Sequence, residues 1–338
     1  MRDATGLLIL DKPAGPTSHD VVERIRTLYG GQKVGHAGTL DPPATGVLLA
    51  GVGRATRILQ FLQTLPKSYR AEVEFGVTTT THDAAGEIVA TRPCHFGREQ
   101  LEREAASLIG EIEQVPPMVS AVKIGGERLY RAARRGDEIE RPARKVRVYQ
   151  FDIESFDPND FRASIFVRCS SGTYVRALAA DIGDRLGCGA HLAGLRRVAV
   201  GSFDESESVS LEQLEGMPPS RALEKLVPMP GAMRDFPSIT VAGDEEIAVR
   251  HGRPLGGQLP VARERELPVL AKPRIGEIPS HEAGMTAGIP VAVLSRSGEL
   301  LAVYRRSRGG LRPAAVLAGA AEVEDRSPDP RRGSGGIG

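Results

Sequence analysis

The sequence predicts an α+β fold followed by a smaller β-rich domain, and three observations predict it. Amphipathic stretches of period 2 and period 3.6 follow one another without a regular strand–helix–strand beat, which argues against a doubly wound parallel sheet. Prolines accumulate between Met217 and Pro237, at Pro218, Pro219, Pro228, Pro230 and Pro237, and mark a domain boundary. Beyond them only short strand-like runs recur, with glycine at the turns. The length of 338 residues suits two domains better than one, and an apolar fraction of 41% supplies ordinary cores.

Taken in order, Gly6–Leu10 reads as a short apolar strand. Thr17 or Ser18 then caps a helix that carries Val21, Val22, Ile25 and Leu28 on one face. A strand follows at Val47–Val52, and Ile58, Leu59, Leu62 and Leu65 sit at helical spacing over Ala55–Leu65. Tyr69–Phe75 alternates: Ala71, Val73 and Phe75 face one way, Arg70, Glu72 and Glu74 the other. That is the pattern of a half-buried strand. Gly76–Gly86 reads as a Thr-rich turn around Asp83, and Phe96–Ile109 as a helix. Ala163–Cys169 alternates again and runs through Ser170–Thr173 into a helix bearing Leu178, Ile182 and Leu186. Past the proline-rich stretch, Ser238–Val241, Pro290–Ser295 and Leu300–Tyr304 read as strands. Gln258–Ile289 reads as a mobile Pro/Gly-rich insertion, and the end of the chain from about Asp325 as a disordered tail.

Charge is informative only locally. The net charge of +1 announces no polyanion, but Lys123–Arg147 holds nine basic residues against four acidic ones, a footprint suited to a nucleic acid. The three cysteines form no CxxC pair and read as reduced thiols of a cytoplasmic protein. The seven histidines show no metal-ligand spacing, and no run is long enough to span a membrane.

The stretch between the first helix and the Val47 strand carries the most information. Gly35-His36-Ala37-Gly38-Thr39-Leu40-Asp41-Pro42-Pro43-Ala44-Thr45-Gly46 is costly to order, because glycine loses the most freedom on folding. Loops of this kind present groups to a ligand, and the group presented here is Asp41.

This stretch resembles the catalytic loop of the TruB-type pseudouridine synthases. Three further motifs agree in order: Gly6–Pro13 with Thr17-Ser18, then Lys67-Ser68-Tyr69-Arg70, then Ser171-Gly172-Thr173-Tyr174-Val175-Arg176. Leu195-Arg196-Arg197 follows. Pro43 departs from the pattern, standing where an apolar residue is usual. The resemblance implies a catalytic domain over residues 1–232 with a central mixed, largely antiparallel sheet flanked by helices. It further implies an RNA-gripping insertion at about 123–147, a PUA-like RNA-binding domain over 233–322 and a tail over 323–338. It implies isomerisation of the tRNA T-loop uridine numbered 55, by a monomer needing no cofactor, metal or protein partner.

Residue by residue, the resemblance makes Asp41 the essential carboxylate and Arg176 its partner, which would hold it ionised by lowering its pKa. Tyr69 would stack on the flipped base and move a proton, with Lys67 and Arg70 beside it for phosphate. His36, Tyr174, Leu195, Lys12 and Asp83 complete the expected substrate-binding set, with Lys12 under the loop and Asp83 in support. Two rivals use the same residues differently: a tRNA-folding chaperone that needs no catalysis, and a synthase directed by a guide RNA. The intact set of Asp41, Tyr69 and Arg176 argues against the first, and the basic insertion against the second. A glycosidase would need a second catalytic carboxylate, which the sequence does not identify.

Overall fold

A computed structural model of the protein describes residues 4–117, 123–124, 127–128, 139–256, 288–307 and 310–318. The insertion expected at 258–289, apart from its last two residues, and the tail expected at 323–338 lie outside them, as does much of the basic stretch at 123–147. The chain divides into two compact units, the first ending at Asp235 and the second beginning at Phe236.

The first unit is built on a ten-stranded sheet. In chain order its elements are β1 (Gly6–Lys12), α1 (Ser18–Leu28), β2 (Val34–His36), β3 (Thr45–Val52), a 3-10 turn (Gly53–Arg57), α2 (Leu59–Leu62) and β4 (Lys67–Phe75). Next come β5 (Val77–Thr79), β6 (Ile88–Thr91), α3 (Arg98–Ser107), β7 (Gly110–Gln114), and a two-residue ladder of β8 (Lys123–Ile124) with β9 (Glu127–Arg128). Then follow β10 (Arg144–Asp157), β11 (Arg162–Cys169), α4 (Val175–Arg185), β12 (Ala190–Val200), β13 (Phe203–Asp204) and β14 (Val209–Ser210). The strands lie in the order β14-β1-β3-β12-β4-β11-β10-β7, with β2 on β3 and β13 on β12. Among the described strands of this sheet, only β1 with β14 and β12 with β3 pair in parallel. The sheet is therefore mixed and largely antiparallel, as expected.

Apolar clusters on the sheet hold the described part of the unit together, two of them beneath its helices. Helices α3 and α4 bury Leu101, Ala105, Leu178 and Ile182 against Val73, Ile165 and Val148 of the sheet. Helix α1 buries Val21, Val22 and Ile25 against Leu8, Leu10, Leu48 and Ala50. Its N-cap is Thr17, which forms a capping box with Asp20. The far side of β4 carries Arg70, which pairs with Glu154 and Glu205.

Phe96 anchors an aromatic cluster at one end of the sheet, with ring centroids 5.0 Å from Phe75, 5.4 Å from Phe156 and 5.3 Å from Phe161. Phe96→Ala is expected to cost about 3 kcal/mol of unfolding free energy. Urea denaturation followed by circular dichroism checks this.

Three sequence expectations change. Ala55–Leu65 is not one helix: a 3-10 turn leads into the four-residue α2. Gly76–Gly86 is not merely a turn, because β5 pairs with β6 to make a hairpin that brackets Asp83. The strands β7, β10 and β12 were not foreseen.

The second unit contains a four-stranded sheet, β15 (Ser238–Thr240), β16 (Pro290–Leu294), β17 (Leu300–Ser307) and β18 (Gly310–Val316), in that order. A helix at Asp244–Arg250 contributes Val249 to its core, with Ile239, Val293 and Leu301. No helix among the described residues is long and apolar enough to cross a membrane.

Candidate active site

The loop from Ala37 to Ala44 is held from below by side chains that satisfy its inward-facing backbone groups. Ser18, left free because Thr17 takes the cap, accepts from Leu40 N at 2.9 Å and donates to Leu40 O at 3.1 Å. The ammonium of Lys12, 0% exposed, donates to Pro13 O, Pro42 O and Ala44 O at 2.9, 3.1 and 2.8 Å. Arg197, 1% exposed, donates to Val47 O at 2.7 Å, Gly38 O at 3.2 Å and Thr39 O at 3.4 Å. Buried carbonyls need donors, and these cations supply them on both sides of Asp41. The cost falls on the lysine: burial, with Arg197 adding, pushes Lys12 down to about 8 although Asp41 opposes it.

Asp41 stands at the outer turn of this loop with its side chain partly exposed. Arg176, at the second position of α4 and almost fully buried, reaches it through Nε at 3.1 Å. The same guanidinium donates through Nη1 to Asp83 Oδ2 at 3.1 Å and to Thr81 O at 3.1 Å. Asp83 is fixed in turn: its Oδ1 accepts from Thr81 Oγ1 at 2.5 Å and Ala85 N at 3.1 Å. Residue 82 before it, a histidine, adopts φ +59°, the left-handed conformation that non-glycine residues rarely take. The result is an Asp–Arg–Asp row with its open end in a cleft lined by Asp41, Asp83, Ala84, Arg176, Leu192 and Leu195.

The electrostatics depart from the sequence expectation. Arg176 does pull the Asp41 pKa down, but burial outweighs it and Asp83 pushes the same way as burial, so the carboxyl lies above its ordinary value. The arginine fixes the carboxylate in place without making it a stronger acid than usual.

Tyr69 lies on β4, directly across the ladder from Arg197 of β12. Burial raises the phenol's pKa, against the pull of Arg197, so the ring enters any reaction neutral. His36 ends β2 with its Nδ1 buried and unpartnered among the described residues. Burial, with Arg197 adding, pushes its imidazole below the ordinary value. Tyr174 is the N-cap residue of α4. The buried Gln114 clasps its backbone, accepting from Tyr174 N at 2.9 Å and donating to Tyr174 O at 3.1 Å. Leu195 reaches the cleft because β12 slips register between Leu192 and Gly194, a bulge of the kind that re-aims residues beside active sites.

Two expectations are corrected here. Lys12 is not a substrate-binding residue, since its ammonium is sealed beneath the loop. Lys67 does not face phosphate: it is buried and donates to Gln63 O at 2.5 Å and Leu65 O at 2.7 Å. Burial, with Arg197 adding, brings Lys67 down to about 7. Sequence reading missed Ser18 as a loop anchor and Gln114 as a clasp, and it gave Arg197 no role beyond its place in the Leu195-Arg196-Arg197 motif. It also missed a second cleft of about 580 Å³ lined by Thr5, Gln32, Lys33, Arg54 and Arg57, whose lining includes no acidic side chain. Lys33 lies 21 positions before Arg54 and 24 before Arg57, so no local charge run announces it.

Residues 26–175 match the model of the TruB family pseudouridylate synthase N-terminal domain, and residues 176–227 that of the tRNA pseudouridylate synthase B C-terminal domain. A tRNA pseudouridine synthase B from Syntrophotalea carbinolica is 46% identical over 250 residues, which cover 74% of this chain and 81% of that protein. The protein of the same name from Thermobifida fusca is 40% identical over 324 residues, covering 94% of this chain and 99% of its own. Among solved structures, a chain in the crystal structure of a Cbf5-Nop10-Gar1 complex superposes with a TM-score of 0.68 at 26% identity. That match covers 94% of this chain and 86% of the other.

Proposed function

The chain belongs to the TruB family of pseudouridylate synthases, and from that premise we propose that it isomerises the T-loop uridine numbered 55 of tRNA, with Asp41 acting on the ribose. The observation that carries this reading is the Asp41–Arg176–Asp83 row, held by a buried guanidinium and open to a cleft at the Asp41 end.

The reaction breaks the bond from ribose C1′ to uracil N1 and forms one from C1′ to C5. The proton at C5 leaves, N1 gains one, and no electrons are gained or lost. A carboxylate can serve such a glycosidic centre, stabilising or trapping the electron-poor C1′. Arg176 keeps the Asp41 carboxylate aimed at one spot, which places the effect in orientation. Tyr69 lies beside the loop as a stacking surface for the extruded base and a route for the C5 proton. Leu195 and Leu192 give the base an apolar wall, Tyr174 a second contact and His36 an unspent ring nitrogen. Asp83 and Lys12 act on the machinery from behind.

The substrate is held more widely than at its target base, and phosphate contacts set its position without reading sequence. The cleft of Lys33, Arg54 and Arg57 suits a phosphodiester backbone. Arg57→Ala is expected to weaken tRNA binding uniformly and to reduce the slope of log affinity against log salt by about 1. Filter binding across a salt series checks it. The second unit is assigned to RNA contact as a PUA-like module, and the protein to the cytoplasm as a monomer that needs neither guide RNA nor protein partner.

The test is incubation of the purified protein with an unmodified tRNA transcript and no other RNA, followed by chemical labelling of pseudouridine and primer extension. A stop at the T-loop uridine is expected. A stop elsewhere, or activity only with an added guide RNA, overturns the assignment.

A further inference from the structure

We infer that Gln114 is a positioning residue for the reaction: its amide fixes the first turn of α4, and with it the Arg176 guanidinium that aims Asp41. The inference rests on the roles proposed for Asp41 and Arg176.

The start of α4 has little of its own to hold it. Its N-cap, Tyr174, makes no side-chain cap bond, and the first turn contains no acidic residue. It carries Arg176 instead, a cation at the positive end of the helix dipole. Just upstream, Gly172 takes φ +85° with open space where a Cβ would stand. Such a bend leaves the direction of the next residues loosely set. Thr173 N reaches Ser170 O only at 3.4 Å. Leu178 and Ile182 seat the body of the helix in the core, but apolar packing is non-directional and does not by itself fix the first turn.

Gln114 supplies what is missing. It is the last residue of β7 and 3% exposed. Its amide meets Tyr174 with a donor and an acceptor in one plane, so orientation is fixed as well as distance. Tyr174 O also accepts from Ala177 N at 3.1 Å and Leu178 N at 3.2 Å. The clasp therefore joins the helix at the carbonyl where its hydrogen-bond ladder begins. The anchor is a paired strand, since β7 runs against β10 from Arg144 to Val148. The same β10 holds the other end of the bend: Ser170 N donates to Arg147 O at 2.8 Å, and Ser170 Oγ accepts from Arg147 N at 2.9 Å. Both ends of the Ser170–Tyr174 bend are thus referred to one ladder. Arg176 follows two positions later, with Nε on Asp41 and Nη1 on Asp83 and Thr81 O, so a shift of the turn shifts the fork. An error of about 1 Å at a catalytic group costs on the order of 100-fold in rate, and Gln114 is placed to prevent it.

The test uses the full-length protein with Gln114→Met, Gln114→Asn and Arg176→Lys, each alone, and each Gln114 variant combined with Arg176→Lys. Methionine keeps the volume and loses both bonds to Tyr174. Asparagine keeps the amide on a stem too short for the clasp, and it carries the same measurements if the methionine protein does not fold. Near-ultraviolet circular dichroism and thermal melts establish folding. Single-turnover release of the C5 hydrogen from tritiated tRNA at saturating protein gives the rate, and filter binding gives Kd. Loss of the clasp is expected to slow the reaction by about tenfold or more with Kd changed less than about twofold. In the Arg176→Lys background the same substitution should cost less than about threefold, because the fork it positions is already gone. An unchanged rate, an equal loss in both backgrounds, a rate loss matched by weaker binding, or failure of both Gln114 variants to fold overturns the inference. An Arg176→Lys protein as fast as wild type would instead overturn the role given to the Arg176 fork, and so the two failures are distinguishable.

Discussion

Asp41→Asn is expected to lower the single-turnover rate of pseudouridine formation by at least about 1,000-fold while leaving tRNA affinity within about twofold. The substitution is nearly isosteric. An asparagine oxygen still accepts from Arg176 Nε, and the loop stays pinned by Ser18, Lys12 and Arg197, none of which bonds to the Asp41 side chain. What disappears is the negative charge at the open end of the row. The same variant carries a stability signature of fixed sign. The Asp41 carboxyl has its folded pKa raised by burial, with Asp83 adding, so the folded state binds protons more readily than the unfolded state. That disfavours folding fully above the folded pKa, and the disfavour fades as pH falls through the folded pKa toward the ordinary value. The asparagine protein should therefore melt higher than wild type at neutral pH, with the gap closing in acid. Thermal melts from neutral pH downward read this out. A rate within about tenfold of wild type would remove Asp41 from the chemistry, and a variant that melts lower at neutral pH would show that its charge supports the fold.

How much of this was legible in the sequence depended on whether a residue's surroundings are local. Helix α1, strand β4 and helix α4 follow their apolar periodicity, because each buries one face against one core, and β1 was legible as a continuous apolar run buried on both faces. Arg176 was legible as a helix-start residue for the same reason. Strand β12 was not, because Ala190–Val200 lies between two strands near the middle of the sheet and slips register twice, so its side chains do not alternate. The buried cations were legible unevenly. The resemblance set Lys12 under the loop, whereas Lys67 reads as a phosphate-facing residue and Arg197 draws no role, since a buried charge is rarely the better prior. Each is buried because backbone carbonyls turned inward and needed donors, a fact that belongs to the folded loop and not to any run of residues. The raised pKa of Asp41 was hidden likewise. Its partner Arg176 could be guessed from the resemblance, whereas the burial and the second carboxylate that outweigh it come from the fold.

That balance makes the two partners of Asp41 separable by pH, with opposite signs. If ionised Asp41 is the active form, the rate falls in acid through a pKa above the ordinary aspartate value. Asp83→Asn removes a charge that raises this pKa, so the acid limb should move to lower pH. The asparagine still accepts from Arg176 Nη1, and most of the geometry should survive. Arg176→Met removes the charge that lowers the pKa, so the limb should move to higher pH. It also leaves the deeply placed Asp83 carboxylate without its cation, which is expected to destabilise the protein by about 3–5 kcal/mol. Arg176→Lys separates aim from charge. The ammonium preserves the sign of the field, yet no single point can stand where Nε meets Asp41 and Nη1 meets both Asp83 and Thr81 O. The lysine protein should hold the acid limb near its wild-type position while losing about 100-fold in maximal rate. Single-turnover rates against pH, corrected for the folded fraction, measure both quantities at once. Limbs that move together in the asparagine and methionine proteins would show that a group other than Asp41 titrates. A lysine protein with full maximal rate would show that the charge of Arg176, and not its forked geometry, is what the reaction requires.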